Sequence, residues 1–270
     1  MGRLSKKAYL HNIILYMSKV LITGGSQGIG LALAKQYAKE GNELILCARD
    51  HVRLSEARNE IQSQYHVRTQ IISIDLSKPR AAEALYEKVQ NQDIDILINN
   101  AGFGFTEESR KIDIEKEESM MQVNTVALIS LCKLFMNDFV KKGSGTIVNV
   151  ASTGAFQPGP YIAAYYASKS FVLNYSKALA VEAKPYGVHV CCLCPGPVDT
   201  DFYMKSGGRK PRTIMSAEKT AEIAVKKIAE SKTVIIPGFL NRLALILPES
   251  VRVRFVARSK YKNLIKKQNG

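Results

Sequence analysis

The run Val20-Leu21-Ile22-Thr23-Gly24-Gly25-Ser26-Gln27-Gly28-Ile29-Gly30 passes from residues suited to a buried strand into a glycine-rich turn, and helical periodicity follows it. Strand, tight turn and helix in that order leave free backbone N–H groups at a helix start, where they attract phosphate. Gly24 permits the turn, Gly28 lets backbone approach a pyrophosphate, and Gly30 allows helix and strand to pack closely. Ordinary turns also use glycine, so the reading rests on the flanking strand and helix.

Outward from this turn, short aliphatic or β-branched runs alternate with longer amphipathic stretches. Strands are predicted at 20–23, 43–47, 69–74, 94–98, 145–150, 188–193 and 233–236, and helices at 28–39, 52–64, 80–90, 114–140, 161–184 and 217–230. That alternation predicts an α/β protein: a doubly wound, Rossmann-type parallel sheet of seven strands with helices on both faces. A chain of 270 residues suits one such domain, placed at 17–238. Residues 1–16 read as a leader, disordered or the product of an upstream start, and 239–270 as a basic, apolar-studded extension. The apolar run at 13–16 is too short for a membrane span or a signal-peptide core.

The net charge of +14 is spread along the chain, since the first sixteen residues carry only Arg3, Lys6 and Lys7 of it. The excess favours anionic partners such as a phosphorylated cofactor, an acidic substrate or a membrane surface. Without an accompanying nucleic-acid-binding motif, nucleic acid is not expected as a partner. Cys47, Cys132, Cys191, Cys192 and Cys194 lack the spacing of metal ligands, so no metal is expected and a cytoplasmic location fits best.

Cofactor choice is read at the end of the second strand. An NAD enzyme places a carboxylate there for the ribose hydroxyls, whereas here Ala48 stands in that place and Arg49 follows it. The guanidinium of Arg49 suits a 2′-phosphate and Ser26 adds a hydroxyl, so NADP(H) is expected rather than NAD(H). The rival reading makes Arg49 a solvated helix-start residue, with Asp50 as the cap.

Tyr165 and Lys169 stand four apart on a predicted helix, so both project from one face. The ammonium is expected to favour the phenolate and to bring the tyrosine nearer a useful range for proton transfer. Such a pair arises by chance in many helices, but Ser152 follows the fifth strand thirteen residues earlier, and Asn124 interrupts a long helix where an amide adds little packing. Neither Tyr161 nor Tyr166 has a lysine four residues on.

Asn124, Ser152, Tyr165 and Lys169, in type, order and spacing, together with Thr23-Gly24-x-x-x-Gly28-x-Gly30, resemble the short-chain dehydrogenase/reductase family over residues 18–238. The resemblance implies hydride transfer between a nicotinamide and a carbonyl or alcohol carbon. It gives Tyr165 the proton, Ser152 the polarising of the carbonyl, Lys169 the ribose, and Asn124 the anchoring of a water relay. The turn residues Thr23, Gly24, Ser26, Gln27, Gly28, Ile29 and Gly30 would then hold the cofactor. Asp75 and Leu76 would flank the adenine, and Asn99-Asn100-Ala101-Gly102 would stabilise the sheet beside it. Pro195-Gly196-Pro197-Val198-Asp199-Thr200 would meet the nicotinamide carboxamide, chiefly through Val198 and Thr200.

Substrate chemistry is less legible. Lys205-Ser206-Gly207-Gly208-Arg209-Lys210-Pro211-Arg212 occupies the place of the family's mobile lid, and its basicity suits an anionic substrate as well as a plain solvated loop. The tail interleaves Val251, Val253, Phe255 and Val256 with Arg252, Arg254, Arg258, Lys260 and Lys262. Such a segment suits peripheral contact with anionic lipid, a cover over a hydrophobic substrate cleft, or a helix docked on the domain or a partner subunit. The expected activity is an NADPH-dependent carbonyl reductase for hydrophobic ketones, aldehydes or 3-oxoacyl groups, assembled as a homodimer or homotetramer. The alternatives are an NADP redox sensor without turnover and a membrane-associated scaffold on the same fold.

Overall fold

The computed structural model describes residues 17–208 and 214–268. The expected leader at 1–16, the loop residues Arg209, Lys210, Pro211 and Arg212, and residues 269–270 lie outside the described residues.

The strands are β1 (Lys19–Thr23), β2 (Glu43–Ala48), β3 (Thr69–Ser73), β4 (Ile96–Asn99), β5 (Gly145–Val150), β6 (Val188–Leu193), β7 (Val198–Asp199), β8 (Met215–Ser216) and β9 (Val234–Ile235). Seven of them form one parallel sheet in the order β3-β2-β1-β4-β5-β6-β9, as the alternating pattern predicts. The pair β7 and β8 forms a small separate sheet that the sequence reading did not foresee, each strand being two residues long and too short to show a period.

The helices are α1 (Gly28–Lys39), α2 (His51–Tyr65), α3 (Ala81–Val89), α4 (Ile114–Met121), α5 (Ala127–Lys142), α6 (Ala163–Ala183), α7 (Phe202–Lys205), α8 (Ala217–Ala229), α9 (Phe239–Ala244) and α10 (Glu249–Gln268). Every strand of the sheet's centre is apolar on both sides, because helices cover both faces. Leu21, Ile45, Leu97 and Ile147 pack beneath α3, α5 and α6, whereas Val20, Ile22, Leu46 and Val148 pack beneath α1, α2 and α8. One-residue alternation along each strand therefore feeds two cores.

Most helix ends shift by one or two residues from the sequence reading, and two differences have a local cause. The uninterrupted helix expected at 114–140 is α4 and α5 joined by a π-helical turn over Gln122–Val126, with Asn124 inside it. A single wide turn leaves the flanking periodicity intact, which hides it in the sequence. The helix expected from 161 begins at Ala163, because Tyr161 adopts a left-handed φ of 63°. The span Ile114–Lys142 is long and apolar enough to cross a membrane, but Leu128, Leu131, Cys132, Phe135 and Phe139 of α5 are buried in the core beneath the sheet.

Phe135 is 2% exposed and meets the ring of Tyr86 edge-on at 5.4 Å and that of Phe139 at 5.9 Å. Truncating it leaves a cavity between α3 and α5, so Phe135→Ala is expected to lower the unfolding free energy by about 3–5 kcal/mol in urea titrations.

Candidate active site

The strand order reverses between β1 and β4, which opens a crevice beyond their carboxyl ends. Thr23 and Asn100 staple the glycine turn across it. Thr23 Oγ1 accepts from the backbone N–H of Asn100 at 3.0 Å and of Ala101 at 3.1 Å, and Asn100 Nδ2 donates to the carbonyls of Thr23 and Gly24 at 3.0 and 3.1 Å. Gly24 takes a φ of +66°, and a Cβ on Gly30 would lie 2.2 Å from the Gly24 oxygen, so the turn needs both glycines. The first N–H groups of α1 have no side-chain cap.

A cavity of 630 Å³ starts at this turn. Arg49, Asp75 and Leu76 line one end, Gly24, Ser26, Gln27, Gly28, Ile29, Asn100, Ala101 and Gly102 the middle, and Ser152, Tyr165 and Lys169 the other end. Pro195, Gly196, Val198 and Thr200 form a further wall. Of the residues given to the cofactor or the chemistry from the sequence, Thr23, Gly30, Asn99, Asn124 and Asp199 are not part of the lining. A long cleft, a glycine-rich turn and uncapped N–H groups fit a dinucleotide with its pyrophosphate over Gly24 to Ile29.

The Arg49 end gathers three cations, Arg49, Arg53 and Lys205, with Asp50, Asp75 and Asp201 among them. Gln27 Oε1 accepts from Lys205 Nζ at 2.6 Å and from Arg53 Nη1, and Arg53 and Lys205 both approach Asp201, at 3.7 and 3.9 Å. Burial lowers the pKa of Lys205, and the field of Arg53 lowers it further, as expected where cations crowd. Burial raises the pKa of Asp75, but hydrogen bonds from Ser77 and the charges of Arg49 and Lys78 outweigh it and keep the group acidic. Asp50 caps α2 by accepting from Arg53 N at 3.1 Å. Arg53 was not singled out from the sequence, although its place four residues after Arg49 was a readable signal.

At the other end, Ser152 and Tyr165 line the cavity together, and Ser152 Oγ accepts from the Gly154 N–H at 3.0 Å. Lys169 Nζ donates to the Val150 carbonyl at 2.8 Å and lies 5.7 Å from the centre of the Tyr165 ring. Asn124 exchanges hydrogen bonds with the backbone of Phe103, at 3.1 and 2.9 Å, and donates to Ser168 Oγ at 3.0 Å. Ser168 in turn donates to the Tyr165 carbonyl at 2.7 Å, so Asn124 braces the loop after β4 against α6. Asn99 bonds Asn149 on the next strand at 2.9 Å.

One expectation is corrected here. Lys169 does not bring the Tyr165 phenol downward; burial pushes it up, with Tyr166 and Tyr203 adding to the rise and the Ser152 hydrogen bond opposing it. The ammonium points to a backbone carbonyl beside the ring, so desolvation wins over its field. Tyr165 is consequently held as a neutral phenol.

Phe202 of α7 lies 5.2 Å from the Tyr165 ring, with Tyr203 beside it, and both line the cavity. From α10, Phe255, Val256, Ser259, Lys260 and Asn263 line it too, so the tail closes over the cleft. Sequence reasoning left the tail's place open because its apolar residues follow no single helical stripe.

Comparison with known proteins agrees with this geometry. A family model described as short chain dehydrogenase matches residues 18–210. Hydroxysteroid dehydrogenase-like protein 1 of Gallus gallus is 32% identical over 224 residues, covering 81% of this chain and 67% of that protein. Very-long-chain 3-oxoacyl-CoA reductase of Bos taurus is 26% identical over 264 residues, covering 89% and 82%. Among solved structures, a short-chain dehydrogenase from Sphingobium yanoikuyae in complex with NADPH superposes with a TM-score of 0.79 at 31% identity, covering 82% of this chain and 88% of the other.

Burial lowers the Lys169 pKa from its ordinary 10.5 to about 8, with Cys192 and Cys194 partly opposing. Between those values the folded chain binds fewer protons at this site than the unfolded chain, so this group's contribution to stability rises with pH across the window. Relative to Lys169→Met, the wild-type urea midpoint is expected to climb as pH rises from about 8 towards 10.5. A constant difference across that range would place the ammonium at its ordinary value.

Proposed function

This chain belongs to the short-chain dehydrogenase family, and we propose that it reduces the carbonyl of a small molecule to an alcohol, with NADPH as the hydride source and Tyr165 as the proton donor. The observation that carries the reading is the meeting of Tyr165, Ser152 and Lys169 in one cleft with the glycine turn and with Arg49. The bound nicotinamide nucleotide would supply the hydride.

A carbonyl that accepts a hydride develops an alkoxide, which must be protonated or hydrogen-bonded as it forms. Tyr165, kept neutral by burial, holds the proton such an oxygen needs, and the Ser152 hydroxyl in the same cavity would polarise the carbonyl. Lys169, held by the Val150 carbonyl, lines the same cavity and would hold the cofactor ribose.

The preference for NADPH is supported by the chemistry around Arg49. No carboxylate stands at Ala48, and Arg49, Arg53 and Lys205 line the same end of the cavity. A 2′-phosphate would find charge-assisted donors there and no like charge in the acid position. The NADPH complex of the Sphingobium relative agrees with this choice.

The test follows nicotinamide absorbance with NADPH or NADH against a panel of ketones, aldehydes and 3-oxoacyl esters. Tyr165→Phe is expected to lower kcat by ~10²–10⁴, the usual contribution of a positioned general acid; undiminished turnover would overturn the assignment. Arg49→Ala is expected to cut the preference for NADPH over NADH by about tenfold or more, the value of a charged hydrogen bond. Equal losses with both cofactors would contradict a 2′-phosphate contact.

A further inference from the structure

The helix α10 is fastened over the cavity rather than laid loosely on the surface. Arg252 Nη1 donates to the Phe156 carbonyl and to Gln157 Oε1, both at 2.9 Å, and the Tyr261 ring lies 5.7 Å from that of Tyr161. Val256 and Leu264 are buried beneath it. This anchoring turns Lys260 into the cavity that also holds Tyr165 and Lys169.

Lys260 is half-buried there and, among the described residues, makes no hydrogen bond or ion pair. The carboxylates that line the cavity are engaged elsewhere. Asp50 meets Arg53, Asp75 accepts from Ser77, and Asp201 lies between Arg53 and Lys205. Burial alone lowers the Lys260 pKa, with no neighbouring charge to restore it. A cation withdrawn from water without a partner is costly, and an incoming anion removes that cost. The cavity that Lys260 lines is also lined by Phe202, Tyr203, Phe255 and Val256, apolar surface for the rest of a ligand.

We infer that Lys260 binds an anionic group, a carboxylate or a phosphate, on a substrate whose body is apolar, so that α10 selects acidic amphiphilic carbonyl compounds over neutral ones. The carbonyl in that statement rests on the reductase reading above; the anion does not. Lys260 is then a specificity residue, remote from the hydride transfer.

Two readouts separate the inference from the reading on which it rests. Equilibrium binding of decanoate, decyl phosphate and decanol is measured with and without NADPH, on wild type, Lys260→Met and Lys260→Arg. One or both anions are expected to bind wild type ~10–100-fold tighter than decanol, the value of a charge-assisted hydrogen bond. Lys260→Met should erase that preference and Lys260→Arg keep it, and the tighter anion names the head group. Equal binding of anion and alcohol by wild type, or a parallel weakening of all three ligands in Lys260→Met, overturns the inference. Turnover is then compared for oxodecanoates, with the carbonyl at different carbons, and their methyl esters. A Lys260-dependent preference for the acids supports the inference, and equal efficiency for acid and ester overturns it while leaving the reductase standing. Anion binding that depends on Lys260, without turnover of any ketone, overturns the reductase reading and leaves the anion site standing.

Discussion

The ammonium of Lys169, almost wholly buried and given to the Val150 carbonyl, is the costly contact around which the reactive end is arranged. It is tolerated because its surroundings leave it room and fix its approach. A Cβ on Gly102 would lie 3.1 Å from both Lys169 Nζ and Asn124 Oδ1, and one on Gly104 would lie 2.7 Å from the Tyr165 ring. The loop after β4 therefore has to be nearly bare where it passes α6. The π-helical turn supplies the brace, since it carries Asn124 inward to hold that loop by the Phe103 backbone and α6 by Ser168. Loop, turn and helix thus form one lock, and Tyr165 and Lys169 keep their places only while it is closed.

The same economy governs the other end of the cleft. Thr23 and Asn100 tie the glycine turn to the end of β4, so the strand that begins the catalytic loop also fixes the phosphate cradle. Charge is then sorted along the cavity: cations crowd around Arg49, a buried ammonium sits beneath the tyrosine, and α10 adds Lys260. A cofactor with a pyrophosphate and a 2′-phosphate, and an acidic substrate, suit that distribution better than neutral ligands do.

Much of this was legible in the sequence because periodicity reports burial directly. The seven strands emerged from aliphatic runs covered on both faces, and the strand-turn-helix context gave Gly24 and Gly30 distinct roles that the 2.2 Å approach at Gly30 bears out. The tyrosine, serine and lysine were legible as spacings, and the structure gathers them in one cavity. Asn124 was noticed as an amide out of place in a helix, but the wide turn that explains it leaves no trace in apolar spacing. The direction of the Tyr165 shift was misread, because a sequence shows that a lysine is near and says nothing of how much water is excluded. The contribution of α10 was hidden for a related reason: which side of a basic, irregularly apolar helix faces inward depends on contacts such as Arg252 with Phe156, which lie about a hundred residues apart in the chain.

The central claim is that hydride and proton meet a carbonyl at Tyr165. Its most direct test is isotopic: NADPH carrying deuterium at both C4 positions of the nicotinamide is incubated with each carbonyl compound of the panel, and any alcohol formed is analysed by mass spectrometry and NMR. The account predicts one deuterium on the carbinol carbon and none elsewhere in the product. NADPH bound at the glycine turn, with alcohol formed free of label or with no alcohol formed from any carbonyl offered, would contradict it.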